Sequence, residues 1–172
     1  MPRYVSANTG VALPHEPHLL LEKWLYDNWP TSADPNYPSL PLRDEIGFGY
    51  HWVDRQRADK SVTLETRKEP EVPYGYLNPM TDDYYPRVWI DFYIRQIDND
   101  FEGPVPQTPP KRLTSMKDFI RDKVDSDHTA LAANGIATQH FDGFDQIPNL
   151  EELNVFHGIA YVRLMYRLVG IT

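Results

Sequence analysis

Two segments in the second half of this chain alternate between apolar and other side chains, and an amphipathic segment lies between them. On residues 87–97 one face carries Val88, Ile90, Phe92 and Ile94. Near the end of the chain one face carries Ala160, Val162, Leu164, Tyr166 and Leu168. A period of two over this length is typical of a β-strand with one face on the core. Between these strands, apolar residues at helical spacing predict a helix that covers the sheet, through Met116, Phe119, Ile120 and Val124.

The sequence predicts two helices in all. The first begins near Glu16–Pro17, because proline suits the first helical turn, and it ends at Trp29–Pro30. The second is expected to be capped by Thr114 or Ser115 and to run to about Val124. Each carries an apolar stripe, so both are expected to pack on a core.

Further strands are predicted on both sides of the second helix. Alternation at 46–53 and 61–67 indicates a hairpin with a long charged tip. A weaker strand is expected at 136–147, and the last strand is expected to run almost to Thr172. We therefore predict an α+β fold, with one twisted, mainly antiparallel sheet of four to five strands and two helices packed on one face.

The chain length of 172 residues suits a single domain. We expect residues 1–15 to form an N-terminal arm and residues 16–172 to form the domain. Long proline-rich loops are predicted at 30–43 and 68–86, each of which holds four prolines. The second loop also holds four tyrosines, which favours a protein contact because tyrosine buries a large area at small entropic cost.

Composition narrows the classes of function. The formal charge of −8, from 25 acidic and 17 basic residues, argues against a dedicated nucleic-acid-binding protein. The absence of cysteine excludes disulfides, zinc–thiolate sites and thiol nucleophiles. No segment has the pattern of a signal peptide or the length of a membrane span, so we expect no membrane partner and an intracellular place of assembly.

Metal sites are weakly indicated. Residues 98–103, DNDFEG, open like a calcium loop, but the twelfth position is Pro109 rather than a glutamate. An acidic turn is the better interpretation. His15 and His18, with Glu22 one turn further on, could begin a metal site, but nothing else in the sequence supports it. We expect neither a metal nor a cofactor.

Catalytic patterns are also weak, and we expect no catalytic residues and no enzyme. His51, His128 and His140 have aspartates nearby and leave open a small hydrolase. Asp91 and Glu65 could be neighbours on adjoining strands, but the lysine that a nuclease would need does not follow. Phosphate-binding loops, nucleophile elbows and dinucleotide fingerprints are absent from the sequence.

The order of these elements resembles the tail terminator, or tail-completion (neck), proteins of tailed bacteriophages or archaeal tailed viruses. The segments that carry the resemblance are HLLLEKWLYDNW (18–29), RVWIDFYIRQI (87–97), SMKDFIRDKV (115–124) and YVRLMYRLVGI (161–171). They cover about half of the chain and match in order and pattern rather than in a diagnostic motif.

This resemblance implies a structural protein of the virion, assembled in the host cytoplasm. It implies a homohexameric ring that caps the tail tube and joins it to the head connector, so the partners would be further copies of the chain, the tail tube protein and the connector protein. DNA would pass only as cargo. A head–tail adaptor, or another neck or baseplate protein, is the alternative.

An interface is expected on the sheet face away from the helices, because that face carries more apolar surface than a monomer needs. The candidate residues are Trp89, Tyr93, Arg95, Tyr161, Arg163, Met165 and Arg167 on the strands, and Tyr74, Tyr76, Tyr84 and Tyr85 on the loop. Arginines on this face, among them Arg87, would pair with acids across the contact. Alternatively, proline-rich loops of the same chain cover this face.

Overall fold

A computed structural model of the protein describes residues 17–49, 62–69, 77–78, 83–84, 87–95, 108–126, 136–150 and 155–167. The helices are α1 (Pro17–Asn28), α2 (Pro109–Ser126) and a short 3-10 turn (Arg43–Glu45). The strands are β1 (Ile46–Phe48), β2 (Val62–Lys68), β3 (Leu77–Asn78), β4 (Asp83–Tyr84), β5 (Arg87–Arg95), β6 (Ile136–Leu150) and β7 (Val155–Arg167). The predicted α+β class is confirmed.

The strands form one mixed sheet that is mostly antiparallel. Its five main strands lie in the order β1, β2, β5, β7, β6. The short strand β4 continues β5 along the same edge of β7, because Asp83 lies opposite Arg167 and Arg87 lies opposite Arg163 in one unbroken register. Strand β3 pairs with β4.

The hairpin predicted from 46–53 and 61–67 is wrong. Strand β1 pairs with β2 in parallel, with Ile46 opposite Val62 and Phe48 opposite Leu64. Gly49 explains the early end of β1, since its φ of 72° lies in the left-handed region and turns the chain out of the strand. Alternation shows which residues share a face but does not fix the direction of a strand, so the sequence pattern could not separate the two pairings.

Both helices pack on the same face of the sheet, as predicted. This helix face carries the apolar residues of β2, β5 and β7, which are buried together with Leu21 and Leu25 of α1 and Phe119 and Ile120 of α2. The ring of Trp29, just after α1, meets Phe119 with 4.8 Å between centroids. A single core therefore joins the helices to the sheet.

Helix α2 starts earlier than the sequence suggested. It begins at Pro109, and the expected cap at Thr114 or Ser115 lies inside the helix, where the Thr114 hydroxyl donates to the Pro110 carbonyl at 3.0 Å. Two prolines fit the first turn because amide hydrogens have no intrahelical acceptor there. Proline is common both in loops and in the first turn of a helix, so the sequence alone does not separate the two at this position.

Strand β6 is also longer than expected, and it is irregular at Gly143. Its register on β7 shifts at three places, one of them between Phe141 and Gly143. The backbone φ of Gly143 is +153°. The predicted arm at 1–15, the acidic segment at 98–103 and most of the loop at 68–86 lie outside the described residues.

A buried carboxylate joins α1 to β2. Glu22 is fully buried, and one of its oxygens, Oε2, accepts the backbone N–H of Thr66 at 2.8 Å. The Thr66 hydroxyl lies 2.6 Å from the same oxygen and 2.8 Å from the carbonyl of His18. These contacts fix the position of α1 along the strand, and they engage the Glu22 side chain that the sequence had offered as a metal ligand.

Candidate interface on the second face of the sheet

The face of the sheet turned away from the helices, called the second face below, carries an ordered set of aromatic and charged side chains. Strand register places Arg67, Trp89 and Tyr161 in one row across β2, β5 and β7, with Gly143 of β6 at its end. The next row holds Glu65, Asp91, Ile159 and Asp145. Side chains in neighbouring rows lie close enough to interact.

Guanidinium groups lie over the rings of the aromatic row. The Arg67 guanidinium is 4.4 Å from the centroid of Trp89, and that of Arg87 is 4.3 Å from the centroid of Tyr161. The two rings meet edge to face, with 5.7 Å between centroids. A cation–π contact of this kind holds each guanidinium over its ring and shields part of that ring from solvent.

Asp91 anchors the neighbouring row. Its carboxylate is only 3% exposed and accepts hydrogen bonds from Nε of Arg67 at 2.7 Å and from its Nη2 at 3.3 Å. His157 Nε2 lies 2.8 Å from Asp91 Oδ1, the oxygen that Arg67 Nη2 also contacts, and the His157 ring stacks on Tyr93 with 4.2 Å between centroids. A nearly buried charge needs such partners, so this cluster is fixed in place. Glu65 lies directly opposite Asp91, as the sequence suggested.

A second carboxylate, that of Asp142 on the edge strand β6, pairs with two arginines. Arg163 Nη2 donates to Asp142 Oδ2 at 3.0 Å. Arg87 Nε lies 3.1 Å from the same oxygen without the alignment of a hydrogen bond, and its Nη1 lies 3.6 Å from Glu69. Arg87 and Arg163 therefore have acidic partners within their own chain, as well as any that they meet across a contact.

The Tyr161 hydroxyl completes this arrangement. It donates to Asp145 Oδ2 at 2.7 Å. Burial and then this hydrogen bond raise the pKa of Tyr161 above its ordinary value. The hydroxyl stays a donor through the physiological range and holds the ring against the edge strand.

Burial across the second face is uneven. Its centre is covered within the single chain, since Thr63 is fully buried and Ile159 is 6% exposed. Its outer positions are open: the side chains of Arg67 and Arg163 are 50% and 43% exposed. The exposed side chains of this face are therefore charged ones, among them Arg67 and Asp145, while the rings of Trp89, Tyr93 and Tyr161 are half-buried.

The structure brings four of the expected interface residues together on this face: Trp89, Tyr93, Tyr161 and Arg163. Arg95 shares the face and is exposed at the end of β5. Met165 and Arg167 lie on β7, and Tyr84 lies on β4. Tyr74, Tyr76 and Tyr85 lie outside the described residues.

Arg67, Asp91 and His157 are not among the interface residues expected from the sequence. The alternation of β2 contained a signal for Arg67, because Arg67 falls on the face opposite Val62 and Leu64. The sequence pattern does not show that β2 pairs with β5, and it is this pairing that sets Arg67 beside Trp89 and Asp91.

The other candidate residues do not converge on a cleft in the described part of the chain. His140 is exposed, and its Nδ1 lies 3.4 Å from Asp125 Oδ1. Within the described ranges, no group of three or more histidines and acids could hold a metal ion. His15, His51 and His128 lie outside those ranges.

Comparison with known proteins found no matching family model and no matching curated protein. In the part of the chain that the structure describes, no helix has the length and apolar character needed to cross a membrane. A functional proposal for this chain therefore rests on its sequence pattern and on the geometry of the second face.

Proposed function

We propose that this protein is a virion structural protein of the tail terminator, or tail-completion, kind. In this proposal, copies of the chain form a ring that caps the tail tube and joins it to the head connector. The support is the element order set out above, together with an α+β fold in which two helices occupy one face of the sheet and leave the other for contacts.

The observation that carries the proposal is the fixed arrangement of arginine and aromatic side chains on the second face. Arg67, Trp89 and Tyr161 are held by stacking and by buried or half-buried carboxylates, so little side-chain entropy remains to be lost on association. Arginine, tryptophan and tyrosine are the residues on which protein interfaces most depend. The surface is a broad face rather than a cleft, which suits a structural contact better than catalysis.

The charge of the chain fits the same role. With a formal charge of −8, a ring of copies would have little affinity for DNA that passes through it as cargo. The partners proposed are further copies of this chain, the tail tube protein and the connector protein, and the proposed location is the neck of the virion.

Native mass spectrometry across a range of protein concentrations tests the proposal. A discrete closed oligomer, especially a hexamer that binds the open end of purified tail tubes, is the expected result. A chain that stays monomeric at every concentration and also fails to bind tail tubes would contradict it. Binding to the connector but not to the tube would favour the adaptor alternative.

A further inference from the structure

The side chain of Glu22 is fully buried, and no basic group of the described residues forms an ion pair with it. Its Oε1 atom has no hydrogen-bond partner among those residues. Three titratable side chains lie near it by position: His18 and Tyr26, each one helical turn away on α1, and Lys68 on the same face of β2 as Thr66. All three have interactions of their own. Strand β5, on which α1 also packs, turns only apolar side chains to this face.

The contacts of the other oxygen, Oε2, need one more proton than an ionised glutamate allows. The Thr66 N–H donates to Oε2 at 2.8 Å. The Thr66 hydroxyl lies 2.6 Å from Oε2 and 2.8 Å from the carbonyl oxygen of His18. Both distances are those of full hydrogen bonds, but a hydroxyl has only one proton to donate. With Glu22 ionised, one of these two oxygens would therefore face a lone pair of the hydroxyl.

A proton on Oε2 of Glu22 satisfies every one of these contacts. The acid O–H then donates to the Thr66 hydroxyl, the Thr66 hydroxyl donates to the His18 carbonyl, and the Thr66 N–H donates to a lone pair that remains on Oε2. Only a protonated carboxyl oxygen both donates and accepts at one atom in this way. A neutral acid also avoids the cost of burying a charge without a partner, and Oε1 becomes an uncharged carbonyl oxygen.

We propose that Glu22 is a neutral carboxylic acid in the folded protein at neutral pH, and that the attachment of α1 to β2 depends on its proton. Loss of this proton leaves a charge buried with no cation beside it and sets Oε2 against a lone pair of the Thr66 hydroxyl. The contact between α1 and the sheet is therefore pH-sensitive and weakens as the pH rises. This inference is independent of the ring function proposed above.

Infrared spectroscopy at pH 7 tests the protonation state directly, because the C=O stretch of a protonated carboxylic acid is well separated from the bands of ionised carboxylates. We expect this band in the wild type and its loss in Glu22→Gln. Glu45→Gln is the matched control and should keep the band, since Glu45 is exposed and its Oε2 accepts the Leu42 N–H at 2.6 Å. Glu22→Met replaces Glu22→Gln if the latter unfolds. A wild type without the band, or a band that persists unchanged when Glu22 is removed, overturns the proposal.

Urea denaturation at several pH values gives a second, independent test. A glutamate in an unfolded chain ionises near about pH 4.3, so above that pH the folded chain holds one proton more than the unfolded chain. Between about pH 5 and pH 7, the unfolding equilibrium constant of the wild type should therefore rise by up to about tenfold per pH unit more than that of Glu22→Gln, because the other acids titrate alike in both chains. Glu45→Gln should follow the wild type. Parallel profiles for the wild type and Glu22→Gln would overturn the proposal.

Discussion

Replacing Gly158 with alanine would test how closely α2 packs on the sheet. Gly158 lies on the helix face of β7, and a Cβ built there would stand 2.8 Å from Leu113 Cδ2 and 2.8 Å from Phe144 Cζ. Ordinary carbon contacts are about 3.5–4.0 Å, so both neighbours would have to move. Overpacking of this kind costs about 1–3 kcal/mol, and the lower entropy of the unfolded alanine chain offsets only about 0.4–1 kcal/mol of it.

We therefore expect Gly158→Ala to lower the free energy of unfolding by about 1–1.5 kcal/mol, which is the middle of the overpacking range less the entropic offset, because Leu113 has a flexible side chain. Urea denaturation of the wild type and the variant measures this difference. The double variant Gly158→Ala/Leu113→Ala should lose less stability than the sum of the single variants, because the shorter side chain makes room for the added methyl group. Unchanged stability in Gly158→Ala, or strictly additive losses, would refute the close seating of α2 over β7.

Three further changes test local features of the fold. Thr66→Val removes the hydroxyl beside the buried carboxylate of Glu22 and should cost about 2 kcal/mol by urea denaturation, and a loss below about 0.5 kcal/mol would contradict the role of this contact. Burial and then the hydrogen bond to Asp122 raise the pKa of Tyr37 to about 12. The unfolded chain therefore releases this proton first, so stability should fall as the pH rises from 10 to 12, and Tyr37→Phe should show a smaller fall. Gly143→Ala should cost about 1–2 kcal/mol through its positive φ, although its Cβ would meet only open space and one ring; a neutral result would argue against that backbone conformation.

The sequence pattern was sufficient for the parts of the fold that depend on periodicity. Helix α1 begins and ends where its proline and apolar spacing indicated, and the helix face of β5 holds the four expected apolar residues. These features are local, because each depends on residues a few positions apart. Two other features are not fixed by nearby residues. The parallel direction of β1 depends on the route of the chain between β1 and β2. The start of α2 at Pro109 depends on proline, which occurs both in loops and at helix starts.

The candidate interface likewise has features that periodicity predicts and features that it does not. Alternation alone placed Trp89, Tyr93 and Tyr161 on one face. The contacts that give this face its character, such as Arg67 with Asp91 or Arg163 with Asp142, join residues more than 20 positions apart and follow from strand register. Single-sequence periodicity contains no information on that register, so the sequence predicted exposed rings where the structure has rings beneath guanidinium groups.

The irregular outer edge of β6 affects how copies of this chain could assemble. Within the described residues β6 pairs only with β7, so its outer edge has no partner strand there, and the Phe141 N–H donates to Asp125 Oδ1 at 3.0 Å. Three register shifts interrupt that edge, and an irregular edge is a poor template for a further strand. Copies of this chain would then meet through side chains rather than through a shared backbone ladder. Growth by side-chain contacts ends where the rotation between copies closes a ring, whereas a continuous ladder could add subunits without limit.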